Sequence, residues 1–194
     1  MAILKIARMG HPILSRRAEP VADPGAPEVR RLVADMIETM EDANGTGLAA
    51  PQVHVPWRIV VFFVAGARQA REDGKAAGEG KSGGVPLTVL INPEIEILDR
   101  STALGWEGCL SVPGLAGEVP RHTRLRYSGL DLEGQRIVRE AEGFHARVVQ
   151  HECDHLDGVL YPQRMTDLGR LVFTSEMHHL GPDRSGSESA DAKE

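Results

Sequence analysis

The feature that most constrains this chain lies between Gly143 and Asp157, where two histidines continue the apolar stripe of a helix. Phe144, Val148, His151 and His155 fall at i, i+4, i+7 and i+11, the spacing of one α-helical face, and Gly158 closes the segment. A buried imidazole needs a polar or metal partner, so a fold that turns this face inward must supply one. Two imidazoles four residues apart project from the same side and can share a metal ion. Glu152 stands about 100° round the helix from His151 and about 60° from His155. Its carboxylate therefore reaches a water beside that ion without displacing it. Cys153 faces the opposite way and reads as a small core residue.

A catalytic site of this kind takes three protein ligands and keeps one position open. Six residues past His155, where a third histidine would complete a metzincin site, the chain has Tyr161. Glu176 stands about twenty residues on, a thermolysin-like distance. Upstream, Cys109 lies in Glu107-Gly108-Cys109-Leu110-Ser111-Val112-Pro113, where the adjacent glycine leaves room for close approach. Spacing alone does not choose between Cys109 and Glu176.

The rest of the chain indicates an α+β fold in one domain over residues 1–180. Val29, Leu32, Val33, Met36, Ile37 and Met40 form the stripe of an N-terminal amphipathic helix, with Pro27 in its first turn and Asn44-Gly45 as its stop. Trp57 to Val64 and Leu87 to Ile91 read as buried strands. Leu125 to Leu132 and Ile137-Val138 read as further strands, joined at Glu133-Gly134. Residues 66–86 are expected to be an inserted mobile loop and 181–194 a disordered tail, while Leu168 to Phe173 is expected to pack on the body. The net charge of −6 argues against direct nucleic-acid readout or an anionic membrane as partner. Two cysteines cannot build a disulfide framework. With no secretory pattern at the start, a reducing cytoplasm is the expected compartment.

Three segments together resemble a known family. Gly45-x-Gly47-x-Ala49-Ala50-x-Gln52, Glu107-Gly108-Cys109-Leu110-Ser111 and Gln150-His151-Glu152-Cys153-Asp154-His155-Leu156 look like the three signature motifs of peptide deformylase, in order. The resemblance runs from about Ile3 to Met165. It implies β-sheets, antiparallel or mixed, around a central helix carrying the His-Glu-x-x-His motif. The implied reaction removes the formyl group from the formyl-methionine of new polypeptides and releases formate.

The resemblance also distributes roles. Cys109, His151 and His155 would hold one divalent metal, typically Fe2+ in cells, with Zn2+, Ni2+ or Co2+ able to substitute. Glu152 would be the general base and acid, with Gln52 and the Leu110 N–H stabilising the oxyanion. Glu107 and Arg121 would support the cysteine loop as an ion pair. Gly45 and Gly47 would let substrate approach the backbone, and Phe144 and Val148 would line the methionine pocket. The implied partners are N-formylmethionyl nascent peptides and, with them, the ribosome, although the C-terminal region has no long basic helix to dock there. Relatives sharing Val112-Pro113-Gly114-Leu115 are expected to have an arginine next. This chain has Ala116, so one contact to bound peptide is not carried over.

Overall fold

The structure, a computed structural model, describes residues 2–74 and 84–180; the expected disordered tail lies outside the described residues. Among the described residues, six antiparallel strands and three α-helices, with short 3-10 turns between them, make an α+β fold. The strands are β1 (Gly47–Ala49), β2 (Ile59–Val64), β3 (Val85–Cys109), β4 (Val112–Leu130), β5 (Arg136–Glu142) and β6 (Leu171–Phe173). The helices are α1 (Pro27–Asp42), α2 (Gly66–Glu72) and α3 (Gly143–Leu156). The sheet order is β1-β2-β3-β4-β5, with β6 added to β4.

Strand β2 is apolar at every position because it is covered on both faces. Val60, Phe62 and Val64 pack with Phe144, Val148, Val149 and Cys153 of α3. The alternate residues, Ile59 and Val61, pack with Val29, Val33, Met36 and Met40 of α1. Period-two alternation thus splits one strand between two core layers. Leu32 and Ile37, at the margin of the α1 stripe, are only partly buried. Helix α1 stops where Asn44 turns to φ +54°, a left-handed conformation that asparagine tolerates.

The molecule's longest pairing is the β3–β4 hairpin, from Ile91↔Leu130 to Cys109↔Val112, interrupted near Ile91, Ile97, Asp99 and Gly108. Its outer half, beyond Asp99, carries no apolar run, and Leu104 remains 54% exposed. Its β4 arm buries only scattered apolar residues, such as Val112 and Val119, against Leu14, Leu160 and Tyr161, so no run or alternation in the sequence marks the hairpin there. Strand β6 falls within the Leu168 to Phe173 segment and pairs Leu115, Ala116 and Gly117 with Phe173, Val172 and Leu171.

The expectation of a loop over 66–86 is corrected at both ends. Gly66–Glu72 is helical, and Val85 already pairs with Val64; residues 75–83 lie outside the described residues. Helix α2 has little apolar surface to bury beyond Ala70, which hides it from a periodicity argument. Contacts to α3 hold it instead: the Phe144 N–H donates to Asp73 Oδ1 at 2.8 Å, and the Arg68 guanidinium lies 5.1 Å from the Phe144 ring centroid.

Candidate metal centre

The β3–β4 turn and helix α3 bring Cys109, His151 and His155 together, their ligating atoms all within 4.8 Å of one another. Cys109 Sγ is 3.3 Å from His155 Nε2, close to the roughly 3.5 Å separating two ligand atoms of a tetrahedral sulfur–nitrogen site. Three soft-to-borderline donors on one side, facing a cleft, fit a divalent transition metal. Glu176 is not brought to this group. It lies on the surface beside Ser175 and His179, so the alternative of a peptidase-like site with Glu176 as third ligand is overturned.

Glu107 fixes the outer nitrogen of His151. Its Oε2 is 2.8 Å from His151 Nδ1 and accepts from Arg121 Nη2 at 3.0 Å. Its Oε1 accepts from Arg121 Nε and Arg147 Nη1, both at 2.9 Å. Burial pushes the Glu107 carboxyl up, but hydrogen bonds from His151 and Arg121 outweigh burial and hold it well below the usual carboxylate range. An ionised carboxylate only accepts, so Nδ1 of His151 carries a proton and the ring is turned with Nε2 toward the cysteine. Arg121 continues to Asp154 Oδ2 at 2.6 Å, and Arg164 holds both Asp154 oxygens.

The same neighbours favour the ionised form of the Cys109 thiol. Burial raises the Cys109 pKa, yet the adjacent His155 and His151 bring it well below its ordinary value. His151 moves the opposite way: burial lowers its pKa, and Cys109 and Glu107 raise it well above the usual imidazole range. Tyr161 stacks on His151 with an interplanar angle of 22°. The Cys153 side chain is instead buried in the core, with its thiol pKa raised by desolvation.

Gln52 is held so that its amide nitrogen faces the site. Its Oε1 accepts the Ala49 N–H at 2.9 Å. Its Nε2 donates to Ser111 Oγ at 3.1 Å and makes a long contact to Cys109 Sγ at 3.5 Å. Glu152 lies alongside, its pKa raised by burial, with Oε2 buried and unpartnered among the described residues. A buried acceptor of this kind awaits a donor.

A cleft of about 440 Å³ opens onto these groups; Gly45, Gly47, Leu110, Phe144, Val148 and Arg68 are among its lining residues. Gly47 is demanded by space, because a Cβ there would overlap the Glu152 carboxylate. The sequence pattern did not single out Ser111, Arg147, Asp154 or Arg164. Each acts through a partner tens of residues away or through a face of α3 that no stripe marks. Asp154 and Ser111 nevertheless lay inside the motif segments, which was the available signal.

A thiol and two imidazoles converging beside a buried carboxylate at an open cleft have the donor set and access of a metal-dependent hydrolase. The family model described as polypeptide deformylase matches residues 3–171, and the chain belongs to that family. It is 54% identical over 169 residues to peptide deformylase 1 of Bordetella pertussis, covering 87% of this chain and 91% of that one. Peptide deformylase 2 of Ralstonia nicotianae is 53% identical over 172 residues, covering 89% and 92%. Among solved structures, the peptide deformylase of Ehrlichia chaffeensis in complex with actinonin superposes with a TM-score of 0.75 at 34% identity, covering 88% and 92%. No helix among the described residues is long and apolar enough to cross a membrane.

Proposed function

We propose that this chain hydrolyses the N-formyl group from formyl-methionyl nascent peptides in the cytoplasm and releases formate. The observation that carries the reading is the meeting of Cys109, His151 and His155 beside a carboxylate with an unpartnered, buried oxygen. A structural metal site needs neither that carboxylate nor a cleft. The three residues hold one divalent cation. Iron(II) is the reading that family membership favours, and the same donors suit zinc, nickel or cobalt. When bound, such an ion lowers the pKa of a water and polarises a carbonyl.

The protein's own groups supply the remainder. Glu152 accepts the proton of the attacking water at Oε2 and delivers it to the departing amine nitrogen, one carboxylate serving as base and then acid. Gln52 Nε2 has one hydrogen engaged by Ser111. Its other hydrogen, on the long contact to Cys109, is available to a developing oxyanion, with the Leu110 N–H as second donor. Phe144 and Val148 offer the methionine side chain an apolar wall. Gly45 and Gly47 let the peptide backbone come close, and Glu107 with Arg121 holds the Cys109 turn and the His151 ring in place. Helix α3 is the scaffold around which these parts are arranged, and α1 backs the strand pair β1–β2 from the far side. The nascent chain also makes the ribosome the expected encounter partner.

The test is formate release from formyl-Met-Ala-Ser by protein prepared anaerobically with iron, beside Glu152→Ala. The variant is expected to lose about 10²–10⁴-fold in kcat while retaining its metal. A metal-loaded wild type that releases no formate overturns the proposal.

A further inference from the structure

Among the described residues lining the cleft, Arg68 is the one exposed charged side chain. The other ionisable side chains there are engaged or buried. Arg147, for example, spends Nη1 on Glu107 and the carbonyls of Gly105 and Val119, and Nη2 on the Ala103 carbonyl. Arg68 reaches the cleft from α2, donates through Nη1 to Thr46 Oγ1 at 2.5 Å and rests over the Phe144 ring. It spans the mouth between the strand side and the α3 side, and it has no carboxylate partner among the described residues. Of the acids nearest it on the chain, Glu72 pairs with Arg71 and Asp73 accepts the Phe144 N–H. A guanidinium carries five N–H donors, so most of its donors remain for a ligand.

We propose that Arg68 is a specificity residue that favours substrates with an acidic side chain at the third position. The inference rests on the deformylase reading above and on Phe144 forming the methionine wall. In an extended peptide, side chains alternate in direction. Once the first residue enters the slot, the second faces away. The third points to the same wall about 7 Å further on, where Arg68 caps Phe144. Opposite charge there draws the peptide in, and a lysine is repelled. Because the contact is made equally before and during the chemistry, it acts on KM more than on kcat.

The experiment compares C-terminally amidated formyl-Met-Ala-Asp, formyl-Met-Ala-Ser and formyl-Met-Ala-Lys, with formyl-Met-Asp-Ala as a position control. The iron-loaded enzyme is expected to prefer Asp over Lys at the third position by about fivefold in kcat/KM, carried by KM and weakened by salt. The position control is expected to behave like the serine peptide. Arg68→Ala should erase the preference, Arg68→Lys should keep its sign, and Arg68→Glu should invert it. Formate released equally from the Asp and Lys peptides, or a preference that survives Arg68→Ala, overturns this proposal alone. Absence of formate from every peptide overturns the deformylase reading and this proposal with it.

Discussion

Gly47 and Glu107 show how much of this site depends on single side chains, one by being absent and one by being fully engaged. A methyl group at Gly47 would overlap the Glu152 carboxylate, so Gly47→Ala must push that carboxylate, the proposed base, aside or move β1. Because φ at Gly47 is not in the left-handed region, backbone strain adds nothing. The expected result is a fall of about 10²-fold in kcat, with an unchanged circular dichroism spectrum and retained metal. At Glu107, four contacts from Arg121, Arg147 and His151 use both oxygens. Glu107→Gln takes the counter-charge from half-buried Arg147 and leaves buried Arg121 with Asp154 alone, which costs about 3 kcal/mol, and metal affinity should drop about 10–100-fold. Chemical denaturation and metal titration read the two effects separately. The motif string picked out Glu107, Gln52 and Gly47. What holds them could not be read there, since Ser111 meets Gln52 and Arg147 meets Glu107 only when segments 59 and 40 residues apart pack together.

Among the elements, α3 carries a second histidine-dependent property on its core side. His145 is buried against Phe62 and Tyr127, with Nε2 at 3.2 Å from the Tyr127 hydroxyl. Burial, with help from Arg139, lowers its pKa from 6.5 to about 4. The unfolded chain therefore takes up this proton first. The resulting stability is fully present above about pH 6.5 and is lost as pH falls toward 4, about 3 kcal/mol in all. Denaturant melts across that window should show the slope, and His145→Phe should flatten it. Glu107 has a depressed pKa, so its contribution is lost only at pH below about 4.5, and the two windows separate. Elements that bury an apolar stripe were legible: Val29, Val33, Met36 and Met40 in α1, and the unbroken run of β2. The outer β3–β4 hairpin and α2 were not: the hairpin buries only isolated residues such as Val112 and Val119 against distant segments, and α2 buries little beyond Ala70.

For the molecule as a whole, a metal held at the proposed site would be a cross-link between two parts that the sequence keeps far apart. Cys109 ends the β3 arm of the hairpin, while His151 and His155 lie on α3, which packs on the other side of β1 and β2 from α1. Spacing along the chain could not select the cysteine, because the convergence depends on where the hairpin folds back. A ligand that binds only the folded state stabilises it by an amount set by its concentration over its dissociation constant, about 2.7 kcal/mol at a hundredfold excess. For a chain of this size that corresponds to roughly 5–10 °C in Tm. Removing the metal with a chelator should lower Tm by this amount, and restoring it should recover the loss. Cys109→Ala should melt at one temperature with or without metal, whereas Glu176→Ala should retain the full shift because that side chain sits on the surface with Ser175 and His179. A chelator effect undiminished in Cys109→Ala would show that the cation tying the hairpin to α3 is held without the thiol. The hydrolytic reading would then lose the ligand that joins sheet to helix.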